Sequence, residues 1–207
     1  MSSHIVFEYV IKDKRGRVRK KGVIKGHSFV ENYWKLVSMV VCGQDSTGVT
    51  DVNGNSKNIN LIDIASDTTE PLSFTVIADE GIDAYGLVVG SGTDAVKMTD
   101  YKLASKISHS DTGLYYLGMS YSEEVTVPDT KDVAYFEVYR EFENRSTDTD
   151  VVIYEVGLIY KAKASTGETI YVLIAREVLP EEEKITLKPG ELLALKAKIQ
   201  NKAIEET

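Results

Sequence analysis

From Pro71 onward apolar and polar residues alternate in short runs broken by Gly, Pro, Asp and Ser, the period of strands rather than of helices. In Val133-Ala134-Tyr135-Phe136-Glu137-Val138-Tyr139-Arg140-Glu141-Phe142, residues Ala134, Phe136, Val138 and Phe142 fall on one face of a pleated strand. Glu137, Glu141 and the Tyr hydroxyls can meet water on the other, the pattern of a half-buried antiparallel sheet. Runs at 72–78, 85–89, 114–127, 133–142, 151–162, 169–179, 184–187 and 192–199 predict eight short strands, enough for a mainly β, antiparallel two-sheet β-sandwich. Thr99 to Ala104 reads as one capped helical turn, and Lys188-Pro189-Gly190-Glu191 as the turn that delivers the last strand.

The first 70 residues read differently. Ile5, Phe7, Tyr9 and Ile11 alternate, residues 13–16 supply a turn and residues 18–24 can return, so the chain opens with an N-terminal β-hairpin that is expected to project. Ser28-Phe29-Val30-Glu31 matches a capping box and starts one amphipathic helix running to Cys42, with Gly43 placed to end it. On that helix Glu31, Lys35 and Ser38 form a narrow polar stripe, while Val30, Tyr33, Trp34, Val37, Val40 and Val41 take up most of the circumference. Such a helix is either sunk against a sheet of its own chain or held between subunits. Two domains follow: residues 1–70, a basic hairpin, helix and polar loop region packed on the sandwich or on a neighbour, and residues 71–207, the β-sandwich.

Composition narrows the class without naming an activity. The 207 residues are 43% hydrophobic and 27% charged, as in ordinary globular proteins. The sequence holds no run of about 20 apolar residues that could cross a bilayer, and Met1 to Ile5 do not resemble a leader, so synthesis and assembly in the cytoplasm are expected. Two Gln and one Cys among many Lys and Glu is a balance found in thermophilic proteins. The net charge of −8 hides a basic cluster at Lys12, Lys14, Arg15, Arg17, Arg19, Lys20, Lys21 and Lys25, opposed within that stretch only by Asp13. It reads either as an arm that grips an acidic subunit or, less favoured, nucleic acid, or as an edge strand that uses cations to discourage unwanted pairing.

Candidate chemistry is sparse. Gly90-Ser91-Gly92-Thr93-Asp94-Ala95 matches a dinucleotide fingerprint but lacks the following helix and the second strand with its acid, so a loop between strands explains it better. Asp51, Asn53 and Asn55 open like a calcium loop, yet position twelve is Ile62. His4, His27 and His109 show no ligand spacing, Cys42 lies in an apolar run, and Glu181 to Glu183 read as a solvated turn. No cofactor, metal or catalytic residue is therefore expected. Twelve Tyr against five Phe suits subunit contacts, sugar sites or simple sheet surfaces alike.

An ordered set of segments carries a resemblance: Gly86-Leu87-Val88-Val89-Gly90-Ser91-Gly92, Thr99 to Ala104, Met119-Ser120-Tyr121, Tyr154-Glu155-Val156-Gly157-Leu158, Leu173 to Leu179, and Leu187 to Leu193. Spanning roughly Tyr85 to Ile199, it resembles structural proteins of tailed phages and of viruses of hyperthermophilic archaea. The resemblance implies a jelly-roll-like virion component (tail, adaptor, nozzle, turret or decoration protein) that binds rather than turns over, as a homo-oligomeric ring or spike among other virion proteins. Tyr33, Trp34 and Val37 are the expected subunit contacts. The rival expectation is a receptor- or glycan-binding module at a fibre or tail tip.

Overall fold

The computed structural model describes residues 2–25, 29–42, 46–59, 75–129 and 133–202. Among these the chain is mainly β, with antiparallel pairing throughout and one α-helix. The elements are β1 (Ser2–Lys12), β2 (Val18–Lys25), α1 (Glu31–Cys42), β3 (Ser46–Thr50), β4 (Ser56–Ile59), β5 (Gly86–Gly90) and β6 (Leu114–Tyr121). They continue with β7 (Val133–Asn144), β8 (Val151–Ile153), β9 (Glu155–Lys163), β10 (Thr169–Val178), β11 (Ile185–Leu187) and β12 (Leu192–Lys202). The largest sheet has the order β2-β1-β12-β7-β6; β10-β9-β5 form a second, and β11-β8 and β3-β4 pair separately.

The expected projecting hairpin does not project. Ile5, Phe7, Tyr9 and Ile11 all turn to one face, and burying each such side chain is worth about 1.5–3 kcal/mol, so β1 is drawn into the sheet between β2 and β12. Its partners in β12 are Ile199, Ala197, Leu195 and Leu193, which lie beside Phe136, Val138, Arg140 and Phe142 of β7. Apart from Phe136, which is exposed, these rows face one core with Leu87 and Val89 of β5, Val156 and Leu158 of β9 and Leu173 of β10. A smaller cluster under α1 and the β3-β4 hairpin joins Met39, Val49, Ile59 and Val172.

Several boundaries differ from the alternation pattern, each for a local reason. The strand expected over 114–127 ends at Tyr121 and resumes only as a bridge between Thr126 and Tyr135. The run 151–162 breaks at Tyr154, whose N–H donates to Gly90 and whose carbonyl accepts from Leu179, so the chain leaves β11 and joins β10 and β5. Of the run 72–78, residues 72–74 lie outside the described residues, and Thr75 bridges Lys161. Residues 99–104 form no helical turn because the amides of Ala104 and Ser105 donate to the Glu155 carboxylate instead of to the backbone. The helix begins at Glu31, not Phe29, since Phe29 bridges Ala175 and Val30 donates to Ile174 along β10. Glu31 pairs with Lys35 at 2.9 Å; Ser28 and Gly43 lie outside the described residues.

Candidate assembly surfaces and buried charge clusters

The helix residues singled out in the sequence divide between inside and outside. Tyr33 is half-buried and stacks on Phe29 with ring centroids 3.6 Å apart, and burial raises its hydroxyl pKa. Trp34 packs edge-on against Tyr33 at 5.2 Å yet is 46% exposed, while Val37 is half-buried. Val40 and Val41, one turn on, are 64% and 77% exposed. What anchors α1 is a residue the pattern did not single out. Asn32 is buried, its amide donates to Thr50 and Leu173 carbonyls, and its oxygen accepts from Thr50 N–H. An Asn inside an otherwise apolar stripe is the signal for such a buried anchor.

Four of the eight basic residues are engaged within the chain. Lys12 lies 3.4 Å from Glu141, Arg17 2.7 Å from Asp13, and Arg19 2.6 Å from Glu191 while also donating to Thr186 O. Lys20 reaches the Lys184 carbonyl and sits over the Tyr9 ring. The hydrogen bond from Arg17 holds the Asp13 carboxyl below its usual range. Lys14 runs past Gly190, and Arg15 and Lys21 are exposed; the Lys25 side chain lies outside the described residues.

Two buried arginines form the strongest electrostatic features, and both stand where alternation calls for an apolar side chain. Arg140, between Val138 and Phe142 on the inward face of β7, has no carboxylate partner among the described residues. Its guanidinium donates to the carbonyls of Asp79, Ile82, Tyr85, Leu87 and Leu117 and lies 4.7 Å from the Tyr116 ring centroid. Burial lowers its pKa to about 10, so it remains charged at neutral pH. Five carbonyl dipoles and an aromatic face do for it what a carboxylate does elsewhere, and the segment 79–87 is thereby fastened to β6 and β7.

Arg176 of β10 instead meets acids. Its Nε donates to Glu155 Oε2 at 2.9 Å, its Nη1 to Asp100 at 2.7 Å and its Nη2 to Asp94 O at 2.9 Å. Burial works against its charge, but the hydrogen bonds to Asp100 and Glu155 outweigh this and raise its pKa. Glu155, fully buried, also accepts from the amides of Gly92, Ala104 and Ser105 at 3.1, 3.0 and 2.7 Å. The Gly90-Ser91-Gly92 stretch is thus a cradle for Glu155. A Cβ at either glycine would lie 2.5 Å from its Oε1, and no helix follows.

The remaining motifs resolve similarly. Asp51 Oδ1 accepts from the amides of Asn53 and Asn55, which makes the acid a turn cap between β3 and β4; Ile62 lies outside the described residues. His109 Nδ1 accepts from Tyr116 N–H, His4 meets Gln200, and His27 lies outside the described residues. Among the described residues no three His, Cys, Asp or Glu side chains gather as metal ligands. No helix among them is long and apolar enough to cross a membrane.

Among the described residues most exposed large apolar side chains fall on three elements, with Ile82 and Met98 in loops besides. Val18 and Val23 stand on β2, Trp34, Val40 and Val41 on α1, and Tyr121, Val125, Val127 and Phe136 on the extension of the β6-β7 hairpin. No family model matches the chain, and no curated protein or solved structure is significantly similar to it.

Proposed function

We propose that this protein is a structural building block, a virion component of the tail, adaptor, nozzle or turret type that acts by binding copies of itself. In this reading the five-stranded and three-stranded sheets are the two layers of a jelly-roll-like sandwich with a common core. The observation that carries it is the grouping of exposed apolar side chains on α1, β2 and the β6-β7 extension, since single exposed residues are normal and clusters ask for cover. The virion context rests on the ordered resemblance over residues 85–199. Buried ionisable groups are engaged in fastening loops, which fits a rigid scaffold.

Native mass spectrometry across a range of concentrations tests the reading. A defined multimer of the 23.0 kDa chain is expected, visible as rings or short tubes by electron microscopy. Replacing Trp34→Glu and Val41→Glu together weakens it at least tenfold, because two charges are placed on a surface that another copy must dehydrate. A strict monomer at every concentration overturns the proposal.

A further inference from the structure

The five-stranded sheet ends in β2 on one side and β6 on the other, and the open parts of these two edges carry opposite charge. Among the described residues β2 has no backbone partner other than β1. Its outer surface shows Val18 and Val23, and among the described residues neither Lys21 nor Arg15 of the β1-β2 turn has a carboxylate partner. The β6 edge is covered along its first part, where Gly81 N–H donates to Tyr116 O and Met119 N–H to Ala78 O. Among the described residues that cover ends beyond Tyr121. There Thr126 and Tyr135 exchange hydrogen bonds of 2.7 and 3.0 Å, and in such a pair the flanking residues turn their N–H and C=O groups away from the partner. Val125 and Val127 therefore turn backbone groups to the rim that have no partner among the described residues, and the stretch 121–129 has Glu123, Glu124 and Asp129 exposed and no cation.

We infer that these edges are the two halves of one interface: β2 of one copy lies against the 121–129 edge of the next, so that the sheet continues from subunit to subunit. This rests on the self-assembly reading and names its joint. Charge decides the mode of contact. A two-fold pairing of β2 with itself sets Arg15 and Lys21 near their own copies, and a two-fold pairing of the other edge does the same with Glu123 and Glu124. A head-to-tail contact opposes the two signs and brings exposed valines together.

The sheet also sets direction and offset. Five antiparallel strands leave β2 and β6 running the same way, so the joint is a parallel pair. Lys21 lies beside Val10, whereas Thr126 lies beside Tyr135, which aligns through Gln200 with His4. The six residues from His4 to Val10 correspond to about 20 Å along the strands. Joining edges with that stagger tilts each copy against the next, as shear does in a closing barrel.

The test uses two charge-reversed full-length chains, Arg15→Glu with Lys21→Glu, and Glu123→Lys with Glu124→Lys, each first matched to wild type by circular dichroism. Alone, each sets like charges across the joint and runs in native mass spectrometry as the 23.0 kDa monomer. Mixed in equal amounts they assemble again, with the two chains in one particle. The neutral double variant Lys21→Gln, Glu124→Gln, which asks nothing new of the fold, shifts the wild-type assembly midpoint at least tenfold to higher concentration. If either reversed chain assembles alone like wild type, or the mixture stays monomeric while wild type assembles, the inference falls. Tighter association of the Lys21 variants also overturns it, since those cations then only guard the edge. Loss of assembly confined to the Trp34 and Val41 variant removes the inference and leaves the self-assembly reading standing, whereas a monomeric wild type removes both.

Discussion

Replacing Glu155 by Gln, a change of one atom, is expected to cost about 3–5 kcal/mol, the range for stripping one partner from a buried ion pair. The geometry leaves the amide no good orientation. With its NH2 group at the Oε1 position it faces the N–H groups of Gly92 and Ser105; at Oε2 it faces Ala104 N–H and the Arg176 guanidinium. Either way at least two hydrogen bonds to a charged group are lost, at about 1.5–3 kcal/mol each, and Arg176 is left with Asp100 as its one carboxylate. For a chain of this size the loss lowers the melting temperature by about 6–20 °C. Urea unfolding gives the free energy, and hydrogen exchange should show residues 91–106 opening first, because Glu155 is what holds that loop to β9. The double variant Glu155→Gln, Arg176→Met should lose less than the two single variants together, whereas Glu168→Gln, at an exposed pair with Lys57, should cost less than about 1 kcal/mol. A Glu155→Gln protein within about 1 kcal/mol of wild type would refute the view that this carboxylate fastens the loop.

Arg140→Met leaves up to five carbonyls without their donor but also relieves a buried cation, so a net loss of about 2–4 kcal/mol is expected in urea unfolding, with protease sensitivity rising in 79–87. Gly90→Ala drives a Cβ to 2.5 Å from the Ser105 carbonyl and from Glu155 Oε1; a loss of about 1–3 kcal/mol follows, measurable as a lower melting temperature. For Asp83, burial raises the pKa but the His109 amide and Lys106 outweigh it, leaving the native value below the usual range. A depressed native pKa gives stability that is present above the unfolded value of about 4 and disappears as pH falls through the native one. Urea midpoints measured below pH 4 should therefore fall more steeply for wild type than for Asp83→Asn, and parallel curves would count against it.

What the sequence made legible was whatever its local period encodes. Strict alternation located β1, β7 and β12. The surroundings of α1 were legible only in part. A polar stripe and an apolar remainder were visible, but which apolar side met the sheet depended on Asn32, whose carbonyl partners come from β3 and β10. Arg140, Glu155 and Arg176 stayed hidden because a charge at an inward position resembles a break in the pattern until the chain supplying its partners is seen to return. The burial of β1 was missed for a related reason. Its basic tip argued for exposure, and the apolar face that overruled it is matched by a strand at the far end of the sequence.

That match has a consequence for how the molecule comes into being. His4 and Gln200, 196 positions apart, are neighbours across the central pairing, so β1 cannot find its inner companion until the long stretch between them has left the ribosome. Until then its Ile5, Phe7, Tyr9 and Ile11 wait with only β2 beside them, as greasy teeth of a half-closed zip. Such late closure makes for slow, topology-limited folding and a window in which nascent copies can stick to one another wrongly. This fastener of the large sheet thus engages late, which favours folding before any copy takes its place among others.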